Sequence, residues 1–104
     1  MTNNGKPFVL VVEDDMPLRN LITTTLESQK YKTAVNGNQA VMAAASGNPD
    51  IILMDLGLPD MDGIDVIQKI RTWSVAPIIV ISARSDDQDK VADLDAGAVD
   101  YLTK

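Results

Sequence analysis

The sequence predicts an α/β domain: a doubly wound, five-stranded parallel sheet with helices on both faces. Three observations predict it. The chain has 104 residues, the size of one domain, so positions 1–104 are read as a single unit. Short, wholly apolar runs alternate along it with segments whose apolar residues recur at helical spacing. Strands that are apolar throughout, instead of alternating, suit burial on both faces, which is what a parallel sheet wrapped by crossover helices demands.

Taken in order, Phe8 to Val12 is a continuous apolar run bounded by Pro7 and by Glu13, Asp14 and Asp15, and reads as the first strand. Leu18, Leu21, Ile22 and Leu26 then recur on one helical face, with Asp15 placed to cap the first turn and Pro17 where its missing N–H costs nothing. Residues 31–35 suit a short second strand, closed by Asn36-Gly37-Asn38, and residues 39–46 a second helix ended by Gly47-Asn48-Pro49. Residues 51–54 form a third strand stopping at Asp55. After the turn Leu58-Pro59-Asp60, Asp62-Gly63 opens a third helix carrying Ile64, Ile67 and Ile70 as far as Trp73, whose plainer reading is an aromatic capping the core before a loop. Pro77 introduces a fourth strand over residues 78–81, ending at Ser82. Asp86 or Asp87 caps a fourth helix through Val91 and Leu94 that terminates near Gly97, and residues 101–102 begin a fifth strand ending at Lys104.

Composition removes several function classes. With no Cys and no His, the chain has no disulfides, no thiolate chemistry, no Cys/His zinc site, no Ser/His triad and no phosphohistidine of its own. A net charge of −6 argues against binding nucleic acid through these residues, because the phosphate backbone is held by clustered Lys and Arg. No run approaches the roughly 18 uninterrupted apolar residues of a membrane span. The polar start over residues 1–6 lacks the apolar core of a signal peptide, so a cytoplasmic protein is expected.

In open parallel sheets, ligands bind beyond the carboxyl ends of the strands. That edge collects Glu13, Asp14 and Asp15 after the first strand, Asp55 after the third, Ser82 after the fourth and Lys104 after the fifth. Gathered carboxylates repel one another unless a cation intervenes, and a hard divalent ion such as Mg²⁺ needs only one or two of them together with a carbonyl, waters and phosphate oxygens. A carboxylate there can also act as a nucleophile on phosphorus, with a metal and a lysine offsetting the transferred charge and the Ser82 hydroxyl bonding a phosphoryl oxygen. Taken singly, each residue has a plainer reading. Asp15 and Asp62 suit helix caps, Asp60 a turn, Glu13, Asp14 and Ser82 solvated loop positions, and Lys104 an exposed terminus.

Val12-Glu13-Asp14-Asp15, Asp55 within Met54-Asp55-Leu56-Gly57-Leu58-Pro59-Asp60, Ser82-Ala83-Arg84, and the run from Asp95-Ala96-Gly97 to Tyr101-Leu102-Thr103-Lys104 together resemble the receiver domains of bacterial two-component response regulators. The likeness spans Phe8 to Lys104. It implies the flavodoxin-like strand order 2-1-3-4-5. It also implies Asp55 as phosphoacceptor, and Mg²⁺ held by Glu13, Asp14, Asp55 and the Gly57 backbone carbonyl. Lys104 would contact the phosphoryl group, and Ser82 with Tyr101 would form the switch pair. The partners implied are a sensor histidine kinase, a C-terminal DNA-binding effector domain in a longer parent protein, and a second copy docking through the fourth-helix and fifth-strand face. Leu56-Gly57-Leu58-Pro59-Asp60, Arg71-Thr72-Trp73-Ser74 and Ser82-Ala83-Arg84-Ser85 look like winged-helix regulators of potassium-transport operons.

Two departures accompany the likeness. The sequence stops at Lys104, before the last helix of a receiver, so the sheet face beside the first helix is expected to be partly uncovered, and no DNA-binding domain is included. Other classes weigh less. A hydrolase working through an aspartyl phosphate lacks a second acid two residues after Asp55, where Gly57 stands. A flavodoxin-type cofactor module lacks a phosphate loop after the first strand. A degenerate receiver serving as a protein-interaction module remains the alternative.

Overall fold

Five parallel strands form one sheet in the order β2-β1-β3-β4-β5. The computed structural model describes residues 7–26, 30–55, 57–82, 94, 97–98 and 100–103. The elements are β1 (Phe8–Val12), α1 (Met16–Thr25), β2 (Lys30–Ala34), α2 (Gly37–Gly47), β3 (Ile51–Asp55), α3 (Gly63–Arg71), β4 (Ile78–Ser82) and β5 (Asp100–Thr103). The fourth helix expected before Gly97 falls outside the described residues, apart from Leu94, which is helical.

The apolar runs take the central positions because only there are both faces covered. On one face Leu10 and Val12 of β1, Ile52 and Met54 of β3, and Ile78 and Val80 of β4 join Ala40, Ala43 and Ala44 of α2 and Val66, Ile67 and Ile70 of α3 in a single buried cluster. Each fully buried branched side chain there contributes roughly 1.5–3 kcal/mol. The small alanines of α2 let its backbone lie close to the sheet. On the opposite face Val9 and Val11 of β1 are buried, Ile51, Leu53, Ile79 and Ile81 are half-buried, and no residue of α1 is fully buried.

Helix ends follow local chemistry. Asp15 caps α1, its Oδ2 accepting from Leu18 N at 2.9 Å. Asp62 caps α3, its Oδ1 accepting from Ile64 N at 2.9 Å. The same helix carries Asp65 in its first turn and Lys69 and Arg71 in its last, matching the helix dipole. α2 starts two residues earlier than the sequence suggests, at Gly37, with Asn36 as cap. The reason is long-range. Asp60, expected to be a plain turn residue, accepts from Gly37 N at 2.6 Å and Asn38 N at 3.0 Å, satisfying amides that the start of a helix leaves without internal partners.

Candidate functional site: an acidic cluster at the carboxyl edge of the sheet

Strand register builds the site. Val12 of β1 pairs with Met54 of β3, so Glu13 and Asp55, one residue further along each strand, arrive side by side at the carboxyl edge. Asp14 follows on the turn into α1. Carboxylate oxygens of Glu13, Asp14 and Asp55 all lie within 4.8 Å of one another; Glu13 and Asp55 are buried and Asp14 is exposed. A site with two walls sunk in the sheet edge and one open to solvent suits a small ligand entering from outside.

The turn carrying these acids is tied at several points. Glu13 N donates to Ala34 O at 3.0 Å, which extends the β1–β2 ladder by one step. Glu13 Oε2 accepts from Asp15 N at 3.2 Å. Arg19, on the first turns of α1, reaches back so that its Nη1 donates to Glu13 O at 3.0 Å and Asp14 O at 3.4 Å. Arg19 is not among the residues the sequence singles out, and Asp60 is read there only as a turn residue. An arginine directed at backbone carbonyls leaves no spacing pattern.

Mg²⁺ fits this donor set. Oxygen ligands held at about 2.1 Å around an octahedral ion lie about 3 to 4 Å apart, and the three carboxylates offer hard oxygens on nearly that scale. Without a cation, each pair of charges at that separation repels by roughly 1 kcal/mol in water and about 3.5 kcal/mol at an effective dielectric of ~20. Gly57 stands beside Asp55: a Cβ built there would lie 3.5 Å from Asp55 Oδ2, so the chain passes close to the carboxylate.

Of the other expected site residues, Ser82 reaches the same edge. Ser82 ends β4, one step beyond the Asp55–Ile81 pair. Tyr101 lies in β5 opposite Val80, and Ser82 pairs with Thr103, the residue before Lys104. Lys104 itself, and the side chains of Ser82 and Tyr101, lie outside the described residues.

Trp73 does not cap the core. It is 47% exposed. With Asn48, Pro49 and Asp50 ahead of β3 and Val75, Ala76 and Pro77 ahead of β4, it lines a shallow cavity of about 370 Å³ at the opposite, amino edge of the sheet. At about 3.3 Å per residue, a five-residue strand puts Trp73 more than about 13 Å from the acids.

Fold, register and acid cluster together define a phosphoacceptor module of the two-component type, and the chain belongs to the response regulator receiver domain family, whose model matches residues 9–104. Among curated proteins it is similar to the KDP operon transcriptional regulatory protein KdpE of Escherichia coli, at 48% identity over 98 residues, covering 92% of this chain and 44% of that protein. It is likewise similar to the transcriptional regulatory protein KdpE of Mycobacterium tuberculosis, at 49% identity over 99 residues, covering 93% and 44%. The DNA-binding response regulator MtrA of Mycolicibacterium paratuberculosis matches at 42% identity over 98 residues, covering 92% and 44%. The chain thus spans less than half the length of these relatives. Among solved structures, the Francisella response regulator 1452 receiver domain superposes with a TM-score of 0.88 at 32% identity, covering 95% of this chain and 84% of that one. A two-component response regulator from Clostridium difficile gives 0.92 at 27% identity, covering 95% and 84%. Among the described residues no helix is long and apolar enough to cross a membrane.

Proposed function

We propose that this chain is phosphorylated on Asp55 by a partner sensor histidine kinase, in a reaction dependent on Mg²⁺, and that the change is passed to a DNA-binding domain of a longer parent protein. The observation that carries this reading is the buried Asp55 carboxylate at the end of β3, with the Glu13 and Asp14 carboxylates within 4.8 Å. Glu13, Asp14, Asp55 and the Gly57 carbonyl would hold the cation, which when bound supplies the positive charge that offsets both the acids and the phosphoryl oxygens. An oxygen of Asp55 attacks phosphorus, the bond from phosphorus to the kinase's histidine nitrogen breaks, and the imidazole keeps the electron pair and takes a proton. Lys104 and Ser82 would contact the transferred group.

The product adds charge and acceptor oxygens at a sheet edge, which biases a two-state equilibrium in which Ser82 and Tyr101 would form the switch. Gly57 has no side chain and stands where a hydrolase would need a second acid, which favours a phosphoacceptor that assists its own transfer over a turnover enzyme. Likeness to KdpE proteins supports a potassium-transport operon as the output, and a homodimer through the fourth-helix and fifth-strand face belongs to the same reading.

The test is calorimetric titration with magnesium and then with a beryllofluoride mimic of the acyl phosphate. Wild type should bind both, Asp14→Ala should lose the ion and Asp55→Asn the mimic. Binding of the mimic by Asp55→Asn as tightly as by wild type would overturn the reading.

A further inference from the structure

We propose that Arg19 is a positioning residue for the cation site: by bonding the carbonyl oxygens of Glu13 and Asp14 together, it sets the turn that aims their carboxylates at Asp55. The inference rests on reading the acidic cluster as a divalent-cation site. Its grounds are geometric. One guanidinium nitrogen, Nη1, lies 3.0 Å from Glu13 O and 3.4 Å from Asp14 O, spanning two consecutive peptide units. The turn between β1 and α1 is only three residues long and two of its members are cluster acids. Glu13 is further fixed by burial and by its backbone bond to Ala34, whereas Asp14 is exposed and sits on the open side of the site. Arg19 is therefore the side-chain contact that ties down the backbone of the more exposed ligand.

Its anchorage is also rigid. Arg19 N donates to Asp15 O at 2.9 Å in the first turn of α1, a helix that Asp15 caps, so the guanidinium is carried by the same element that ends the turn it holds. Arginine suits the task because its planar, permanently charged head offers several donors in a fixed geometry.

Two effects of this residue on cation affinity oppose one another. Ordering Glu13 and Asp14 favours binding, since groups that orient metal ligands are typically worth ten- to a hundredfold in affinity. The positive charge disfavours a second cation nearby. That penalty is screened by water and salt at a site with an exposed wall, and the guanidinium is directed at carbonyls and not at the carboxylates, so ordering prevails.

The experiment titrates magnesium chloride alone into the full chain by calorimetry, for wild type, Asp14→Ala, Arg19→Ala, Arg19→Gln and Arg19→Lys. Each protein's thermal midpoint is recorded in chelator. Arg19→Ala should bind Mg²⁺ about ten- to a hundredfold more weakly while its chelated midpoint stays near that of wild type, and Arg19→Lys, which keeps a charged donor, should recover most of the loss. Unchanged or tighter binding in Arg19→Ala overturns the proposal and leaves the cation site standing. A loss of affinity that tracks a loss of chelated midpoint across the three Arg19 variants makes the contact a fold element only, and also overturns it. Failure of wild type itself to bind magnesium brings down the cation-site reading and the proposal with it, and is recognised from the wild-type arm alone.

Discussion

Replacing Asp14 by Asn should make the metal-free chain more stable while removing its response to magnesium. Asp14 places a carboxylate oxygen within 4.8 Å of oxygens on both Glu13 and Asp55. Each such pair costs roughly 1 kcal/mol at the dielectric of water and about 3.5 kcal/mol at an effective dielectric of ~20. Because Asp14 is exposed, its two pairs lie toward the aqueous limit, so the isosteric, uncharged amide should stabilise the chelated chain by about 1–3 kcal/mol. Urea unfolding reads this directly. With a slope of about 1–2 kcal/mol per molar for a small domain, the midpoint should rise by about 1 M with the slope unchanged. Magnesium at about 100 times its dissociation constant should stabilise wild type by roughly 2.7 kcal/mol and the variant by little, so the variant's advantage closes when the ion is added. A variant no more stable than wild type in chelator, or one that gains as much from magnesium, would refute the electrostatic account.

Three further outcomes follow from the packing and hydrogen bonds. The two amides Asp60 accepts hold its carboxyl below the ordinary 3.8, the Gly37 bond being the larger cause. A carboxyl lowered in the folded state stabilises the fold in full above 3.8 and loses that contribution as pH falls below it; in Asp60→Asn, thermal midpoints recorded from neutral to acid pH should start lower and fall less steeply over that range. Gly97 sits at φ 124°, and a Cβ there would meet Arg71 Cγ at 2.8 Å and Nε at 2.9 Å, the same Nε that donates to Gly97 O at 3.0 Å. Gly97→Ala should therefore cost about 1–3 kcal/mol by chemical denaturation. Ile70, with no exposed surface near the C-terminal end of α3's buried face, should cost about 2–5 kcal/mol when cut to Ala, and a loss under 1 kcal/mol would contradict the packing described.

Strands β1, β3 and β4 were legible because continuous apolar runs leave little choice of element, and their ends fall within a residue of those expected. β2 was less so. As the edge strand it reads Lys-Tyr-Lys-Thr-Ala with only Ala34 buried, and its bounds are set by pairing of Phe8 with Lys30, which shifts it one residue from the expected span. Strand order came from the resemblance, since periodicity alone does not rank neighbours. The acids were legible because a strand's last residue has a known place. What escaped were contacts made across the fold: Asp60 completing α2 from a loop 23 residues away, Arg19 turning back onto carbonyls, and Trp73 left at the far edge. Each depends on tertiary placement. Apolarity alone suits Trp73 to a core cap, yet it stands half-exposed at the edge of the sheet away from the acids.

The most direct test of the central claim is phosphoryl transfer read by intact mass. Wild type and Asp55→Asn are incubated with a small acyl-phosphate donor, with magnesium and with chelator, and the modified residue is mapped. The account predicts one phosphoryl increment on wild type, present only with the ion, located at Asp55 and absent from the variant. Modification at another residue of wild type, equal labelling of Asp55→Asn, or full labelling in chelator would contradict it.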